Sequence, residues 1–351
     1  MEKISSKQQK IIGIFIARGT ISSSEAHEAV LKMGEDASLV TVKRALSEMT
    51  KAGILITEGS GRATKYKISA VGRIFAEVDA KNYSSIEPDK RYGVNSYNFD
   101  LLSSLPADIF SDDELKILND ATTEYEKRTK DLPPAIQKRE LERLIIELAW
   151  KSSKIEGNTY TLLDTEKLIL ENREAPGHDK KEAQMILNHK DAFNFIHKNK
   201  SHFKTLTRKN MEELHALLVK NLSVGLGLRS KSVGVTGSIY RPLDNIHQIS
   251  EAVFKLSAAV DRMQTPYAKA LVALLGISYI QPFEDGNKRT ARLMANAILL
   301  AYGRAPLSYR SVDENDYREA VFVFYELNSV VPFKKIFIDQ YDFAAKNYAV
   351  K

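Results

Sequence analysis

Gln281-Pro282-Phe283-Glu284-Asp285-Gly286-Asn287-Lys288-Arg289-Thr290-Ala291-Arg292 is the stretch on which the reading of this chain turns. An apolar helical run over 271–280 precedes it, and Pro282 breaks that helix because its ring removes an N–H and clashes with the turn before it. Asp285, Gly286 and Asn287 are turn formers that tolerate unusual backbone angles. Leu293, Met294, Ala297, Ile298 and Leu299 then recur as the apolar positions of a new helix. The stretch therefore specifies helix, tight turn, helix, with free backbone N–H groups at the second helix start. Such a terminus attracts anions through donor geometry and the helix dipole. Arg289 and Arg292 sit three apart on one side of that helix and carry forks that can donate two bonds to a phosphate. Asp285 is an acid among these cations, and a carboxylate beside phosphates is a natural magnesium ligand. The expected ligand is a nucleotide or a similar phosphate anion.

Outward from this loop the chain is helical. Segments are expected near 112–130, 135–153, 161–172, 179–197, 207–221, 246–261, 266–280, 286–301, 313–325 and 333–347. The exception is 228–243, rich in Gly, Ser and Val, which reads as a β-hairpin. The N-terminal part is different. A helix is expected over 5–18, a second from the serines after Ile21, and a third over 38–52 with Leu39, Val42, Leu46 and Met49 on one face. A hairpin follows, built from 54–58 and 64–68 around Gly59-Ser60-Gly61. Between 82 and 106 periodicity is lost and Tyr, Ser, Asn, Pro and Asp dominate, as in a linker that packs against the next domain.

The composition narrows the chemistry. The 351 residues contain no cysteine, which excludes disulfides, thiolate nucleophiles and sulfur-ligated zinc, and fits a cytoplasmic setting. No stretch reaches the length of a membrane span, so no membrane partner is expected. The seven histidines are scattered and none lies in the loop. The net charge of +6 is uneven, because residues 1–74 hold twelve Lys and Arg against seven Asp and Glu. That excess points to a polyanion partner for the N-terminal part. Three short helices and a hairpin over 5–72 resemble the winged helix-turn-helix. The resemblance implies a recognition helix carrying Ser38, Thr41, Lys43, Arg44 and Ser47, with Arg62 and Lys65 on the wing. Either DNA or another protein suits such a module.

The loop itself resembles the signature of the Fic family, His-Pro-Phe-x-Asp/Glu-Gly-Asn-Gly/Lys-Arg-x-x-Arg. The resemblance extends over about residues 100–345. It implies transfer of AMP from ATP to a Ser, Thr or Tyr hydroxyl of a target protein, with ATP and Mg²⁺ as cofactors. By this resemblance Asp285 holds the metal. Gly286, Asn287 and Arg289 cradle the α- and β-phosphates, Lys288 adds charge, Arg292 meets the γ-phosphate, and Phe283 anchors the loop. The 228–243 hairpin is similar to the family's flap, in which Val233, Gly234, Val235, Thr236 and Gly237 would align the target by strand pairing. Trp150-Lys151-Ser152-Ser153-Lys154-Ile155-Glu156-Gly157 resembles the family's inhibitory motif, Ser/Thr-x-x-x-Glu-Gly/Asn. Ser152, Glu156 and Gly157 would then form a brake in which Glu156 occupies Arg292.

Gln281 departs from the family, standing where the catalytic histidine is expected. An amide has no accessible basic form, so it cannot take the proton of an attacking hydroxyl, although it can orient one. Three functions stay open on the sequence: slow AMP transfer, AMP removal with Glu156 positioning water, and a nucleotide-sensing regulator that binds DNA without catalysis. The expected architecture is mainly α. It has a winged helix over 1–78, a packing segment over 79–111, and an all-helical Fic domain over 112–351. That domain contains an inhibitory helix at 140–157, the flap at 228–243 and the loop at 281–292. The expected partners are ATP, a target protein, DNA through residues 1–74, and a second copy of the chain as a homodimer.

Overall fold

Apolar periodicity dictates most of what the computed structural model contains; it describes residues 4–350, the side chain of Arg62 excepted. The chain divides into two compact units. Unit one takes in residues up to Pro106 together with Val235–Tyr240 and Glu319–Lys334. Unit two takes in Ala107–Gly234, Arg241–Arg318 and the chain from Lys335 onward.

Unit one begins with α1 (Ser6–Arg18), β1 (Ile21–Ser22), α2 (Ser23–Lys32), α3 (Leu39–Lys51), β2 (Leu55–Glu58) and β3 (Lys65–Ile68). Ser5, Ser22 and Ser38 each cap the helix that follows, because their hydroxyls satisfy N–H groups that the first turn leaves without partners. The expected hairpin β2–β3 forms, with Leu55 opposite Ile68 and Thr57 opposite Tyr66. β1, where only a helix start was expected, adds to β3 with Ile21 opposite Tyr66 and gives a sheet of order β1-β3-β2. The core gathers Ile12, Phe15, Val30, Val42, Leu46 and Met49, and it also takes Val323 and Leu327 from the far end of the sequence. After β3 come α4 (Ala70–Ile74), α5 (Ala80–Ser85) and α6 (Leu101–Ser104), with Tyr83, Tyr97, Leu101 and Leu102 of the aperiodic stretch buried.

The remaining helices are α7 (Asp112–Thr129), α8 (Pro134–Ile155), α9 (Leu162–Glu171), α10 (Lys180–Lys198), α11 (Arg208–Leu218), α12 (Ile246–Arg262), α13 (Pro266–Ile280), α14 (Asn287–Ala301), α15 (Glu314–Leu327) and α16 (Val331–Asn347). All ten segments expected from periodicity are present. α13 is apolar on every side, and nearly all its residues are buried, as a helix through the middle of a core must be. It packs against α12 and α14, and α14 in turn meets α8, α10 and α11. The phosphate loop is the link between α13 and α14, so two buried helices fix both of its ends.

The expected β-hairpin at 228–243 is not formed. Its residues carry no strand; they hold a turn in which Val235 accepts from the Ser238 N–H at 3.1 Å, and Arg241 is a single isolated bridge residue. The physical reason is that the backbone there is bonded elsewhere. Fully buried Arg229 donates to the carbonyls of Gln281 (2.6 Å), Lys231 (2.7 Å) and Leu243, groups that lie on both arms of the segment and on the phosphate loop. A ladder between the arms would need the Lys231 and Leu243 carbonyls for itself.

Candidate phosphate-binding site

Gln281 ends α13 in the left-handed conformation (φ +51°), its N–H returning to the Ile277 carbonyl. Its side-chain amide donates to the Ser278 carbonyl at 2.6 Å, folded back on its own helix end. Gly286, at φ +78°, starts α14; a Cβ there would stand 3.3 Å from Val219 and 3.7 Å from the ring of His215. Between these points Asn287 staples the turn. Its carbonyl oxygen accepts from Phe283 N–H and its amide donates to Phe283 C=O, both at 2.8 Å. What Asn287 can offer an anion is therefore its main-chain N–H. Among the described residues, the N–H groups from Glu284 through Arg289 have no hydrogen-bond partner. A run of unsatisfied donors at a helix start forms a concavity for an anion.

Three cations converge on this concavity. Arg289 is almost completely buried, pairs through Nη2 with Asp285 at 2.9 Å, and leaves Nη1 buried without a partner. A buried, unpaired guanidinium nitrogen is costly unless an anion completes it. Arg292 has no exposed surface. It donates from Nε to Ser152 Oγ (2.9 Å) and from Nη2 to the Ser152 carbonyl and Glu156 Oε1 (2.8 Å each). Lys288 reaches Glu156 Oε2 at 3.4 Å. Burial works against the Glu156 charge, but Arg292, Lys288 and Arg289 outweigh it and hold the carboxyl below its ordinary range. Burial likewise opposes the charge of Arg292, while Tyr317 and Glu156 raise its pKa above the ordinary value.

The sequence expectation paired Glu156 with Arg292, and the two lie 2.8 Å apart; the bonds of Ser152 to the same guanidinium were not expected. Glu156 closes α8, and Gly157 follows at φ +95°, a conformation that favours glycine. Asp285 remains largely exposed and faces outward. Val233 and Gly234 have no regular structure, and Val235, Thr236 and Gly237 form the turn described above. In the N-terminal part, Ser38 and Thr41 bond each other in the cap of α3, while Lys43, Arg44, Ser47 and Lys65 are exposed. The expectation for the Arg62 side chain lies outside the described residues.

Three residues escaped sequence reasoning. Arg229 is one; a lone arginine amid small residues was its only signal. His215 stacks on Phe283 with ring centroids 3.8 Å apart and planes 8° apart, and its Nε2–H donates to the Asp285 carbonyl at 3.0 Å. His189 meets Ser152 Oγ at 2.8 Å through Nε2. Burial, followed by the nearby charges of Arg292 and Arg289, pushes His189 down to about 3, so it is neutral and can accept the Ser152 hydroxyl proton. These histidines brace the loop and the end of α8; no sequence pattern marks them.

The model of the Fic/DOC family matches residues 205–299, a span that includes the loop and its two flanking helices. Over that span the chain is similar to the Fic/DOC family. Among curated proteins it is similar to the protein adenylyltransferase Fic of Nematostella vectensis, with 29% identity over 189 residues, covering 52% of this chain and 44% of that protein. The protein adenylyltransferase Fic of Culex quinquefasciatus is 28% identical over 208 residues, covering 58% of this chain and 41% of that protein. The chain thus spans less than half the length of these relatives. Its fold is similar to a solved fragment, residues 134–508, of Fic-1 from C. elegans (TM-score 0.55, 18% identity, 67% of this chain and 71% of that one). A Fic domain-containing signaling protein from Bacteroides thetaiotaomicron shares the fold at a TM-score of 0.55 and 21% identity, over 66% of this chain and 94% of that one. No helix among the described residues is long and apolar enough to cross a membrane.

Proposed function

We propose that this Fic domain is a protein adenylyltransferase whose nucleotide site is restrained by Glu156 and whose proton-transfer step lacks a base. The observation that carries the reading is the unpartnered Arg289 Nη1 beside the free N–H groups of the loop. Together they form a set of donors that suits an anion. In the proposed reaction the phosphate chain of ATP lies on the N–H groups opening α14, with Arg289 completing the cradle. The target hydroxyl oxygen bonds to the α-phosphorus as the bond to pyrophosphate breaks, and the hydroxyl proton leaves. Gln281 cannot accept that proton, so it passes to solvent, and the step is slow. Among the described residues there is no cluster of three metal-ligating side chains. A single exposed carboxylate, Asp285, instead fits Mg²⁺ delivered on the nucleotide, where the metal would neutralise phosphate charge. Glu156 competes with the γ-phosphate for Arg292 and Lys288, since one guanidinium cannot serve two anions at full strength.

Incubating the Glu156→Gly, Gln281→His protein with Mg²⁺ and ATP labelled on its α-phosphate tests this. Label on a Ser, Thr or Tyr of this or an added protein is expected. A folded, ATP-binding variant that never transfers label would overturn the reading in favour of a nucleotide sensor. Release of AMP from a modified protein instead would make Glu156 a positioner of water.

A second activity concerns the N-terminal unit, which we read as a winged helix that binds duplex DNA. α3 buries Val42, Leu46 and Met49 and leaves Val40, Lys43, Arg44, Ser47 and Lys51 exposed. That is the division expected of a helix that enters a major groove. The pairing of Arg44 with Glu48 at 2.9 Å would have to open for Arg44 to reach a phosphate.

A further inference from the structure

Glu326 has no part in the site above, yet it is a fully buried carboxylate. It accepts from Tyr83 Oη at 2.7 Å through Oε2, and from Ser238 Oγ (2.6 Å), Arg91 Nη1 (3.2 Å) and Ile239 N–H (3.3 Å) through Oε1. Arg91, only 4% exposed in its side chain, extends the network to the Gly237 carbonyl at 2.9 Å and lies over the rings of Tyr83 and Phe322. Its remaining donors take the carbonyls of Ile86 and Ser84 at 2.8 Å each. Gly237, at φ +80°, brings its backbone close enough to Phe322 that a Cβ would stand 3.3 Å from the ring. All these residues belong to unit one.

A buried ion pair is weak evidence for stability, since apolar residues of similar volume often hold a core as well. A charged network offers direction instead. Here two of its bonds, from Ile239 N–H and to Gly237 C=O, end on the main chain of the 235–240 turn, so the network fixes backbone. The neighbouring arm is the opposite case: among the described residues, Ser232, Val233 and Gly234 make no main-chain hydrogen bond. A pinned turn thus continues into an arm whose N–H and C=O groups are available.

We propose that Arg91 and Glu326 are positioning residues for the protein target: they fix the 235–240 turn, and through it the course of the arm on which an extended target segment pairs. The inference rests on the adenylyltransferase reading and extends it, because it puts control of target alignment in the N-terminal unit. ATP binding needs neither residue.

The test uses the full chain carrying Glu156→Gly and Gln281→His, with Arg91→Met or Ser238→Ala added. The second variant removes one of the turn's bonds to Glu326, together with the Ser238 Oγ that accepts from Tyr240 N–H, and keeps the test open should Arg91→Met fold poorly. Three quantities are measured: hydrogen exchange of the amides at 236–240, Mg-ATP affinity by calorimetry, and the rate of protein labelling from ATP. Exchange at Ile239 should rise about tenfold or more, because its N–H bonds to Glu326, a carboxylate that either variant deprives of one of the partners that fix it. ATP affinity should stay within about twofold while labelling falls about tenfold, separating target alignment from nucleotide binding. Unchanged exchange, or faster exchange with unchanged labelling, overturns the proposal. So does a parallel loss of ATP affinity, which would mean general destabilisation. A parent that binds ATP without labelling any protein overturns the adenylyltransferase reading and the alignment role with it, whereas exchange reports separately on whether the turn is pinned.

Discussion

At the scale of single residues, two side chains decide what the site can do. Glu156 occupies Arg292 at 2.8 Å and Lys288 at 3.4 Å, so replacing it should free both for phosphate. Glu156→Gly is expected to tighten Mg-ATP binding by about tenfold or more, the worth of a charge-assisted bond in a partly buried place. Arg292→Ala should abolish that gain, and the double variant should bind no better than Arg292→Ala alone, the non-additivity of one shared partner. Calorimetric titration of all four proteins decides it; equal affinities for parent and Glu156→Gly would reduce Glu156 to a helix-end residue. Gln281 governs the proton instead. Gln281→His should raise AMP transfer by about tenfold or more, given the usual worth of a general base. The left-handed backbone at 281 accepts histidine readily, so the change should not disturb the loop. A folded, ATP-binding Gln281→His protein with unchanged labelling would argue for another base. The pairing of Glu156 with Arg292 was legible in the sequence because two motifs marked it. His189 and His215 were not, because packing across α8, α10 and α11, not spacing along the chain, gives them their roles.

At the scale of elements, the helices were legible and the flap was not, for one reason. A helix satisfies its backbone within itself, so local periodicity is enough to reveal it. A two-armed segment depends on which distant groups compete for its carbonyls. Gly, Ser and Val at 228–243 suit a hairpin locally, but Arg229 takes the carbonyls that a ladder would require. β1 was missed because two residues carry no alternation; β3 makes it a strand. The start of α14 shows how narrowly an element can be specified. Gly286 needs φ +78°, and its missing Cβ leaves room for Val219 and His215. Gly286→Ala is expected to lower unfolding free energy by about 1–2 kcal/mol from backbone handedness alone, with ATP affinity falling as well. Denaturant midpoints and a parallel ATP titration measure both; a variant equal to the parent in each would mean that the turn is not held at this angle.

At the scale of the whole molecule, the basic excess of residues 1–74 falls in the part of unit one built from α1 to β3, where the outward face of α3 carries Lys43 and Arg44. If this face binds duplex DNA, log affinity should fall linearly with log salt, and Lys43→Ala with Arg44→Ala should make that slope shallower by roughly two. Fluorescence anisotropy over a salt series measures it; a chain that binds no duplex even at low salt would make the module a protein-binding one. The extent of unit one was not legible, because Val323 and Leu327 join its core from some 250 residues away and no local pattern announces so distant a partner. The phosphate loop has a consequence for folding as well. It gathers Lys288, Arg289 and Arg292 around one concavity, and like charges held together strain a native state. Glu156 is the carboxylate paired with two of them, so a residue proposed to restrain the site would also stabilise the fold. The released protein should therefore melt earlier than the parent when empty and regain the loss as nucleotide is added, since a ligand bound only by the native state stabilises it in proportion to saturation. Activation here would be an exchange of counter-ions, a tethered carboxylate giving way to a diffusible phosphate, and the activated enzyme would depend on its own substrate for stability.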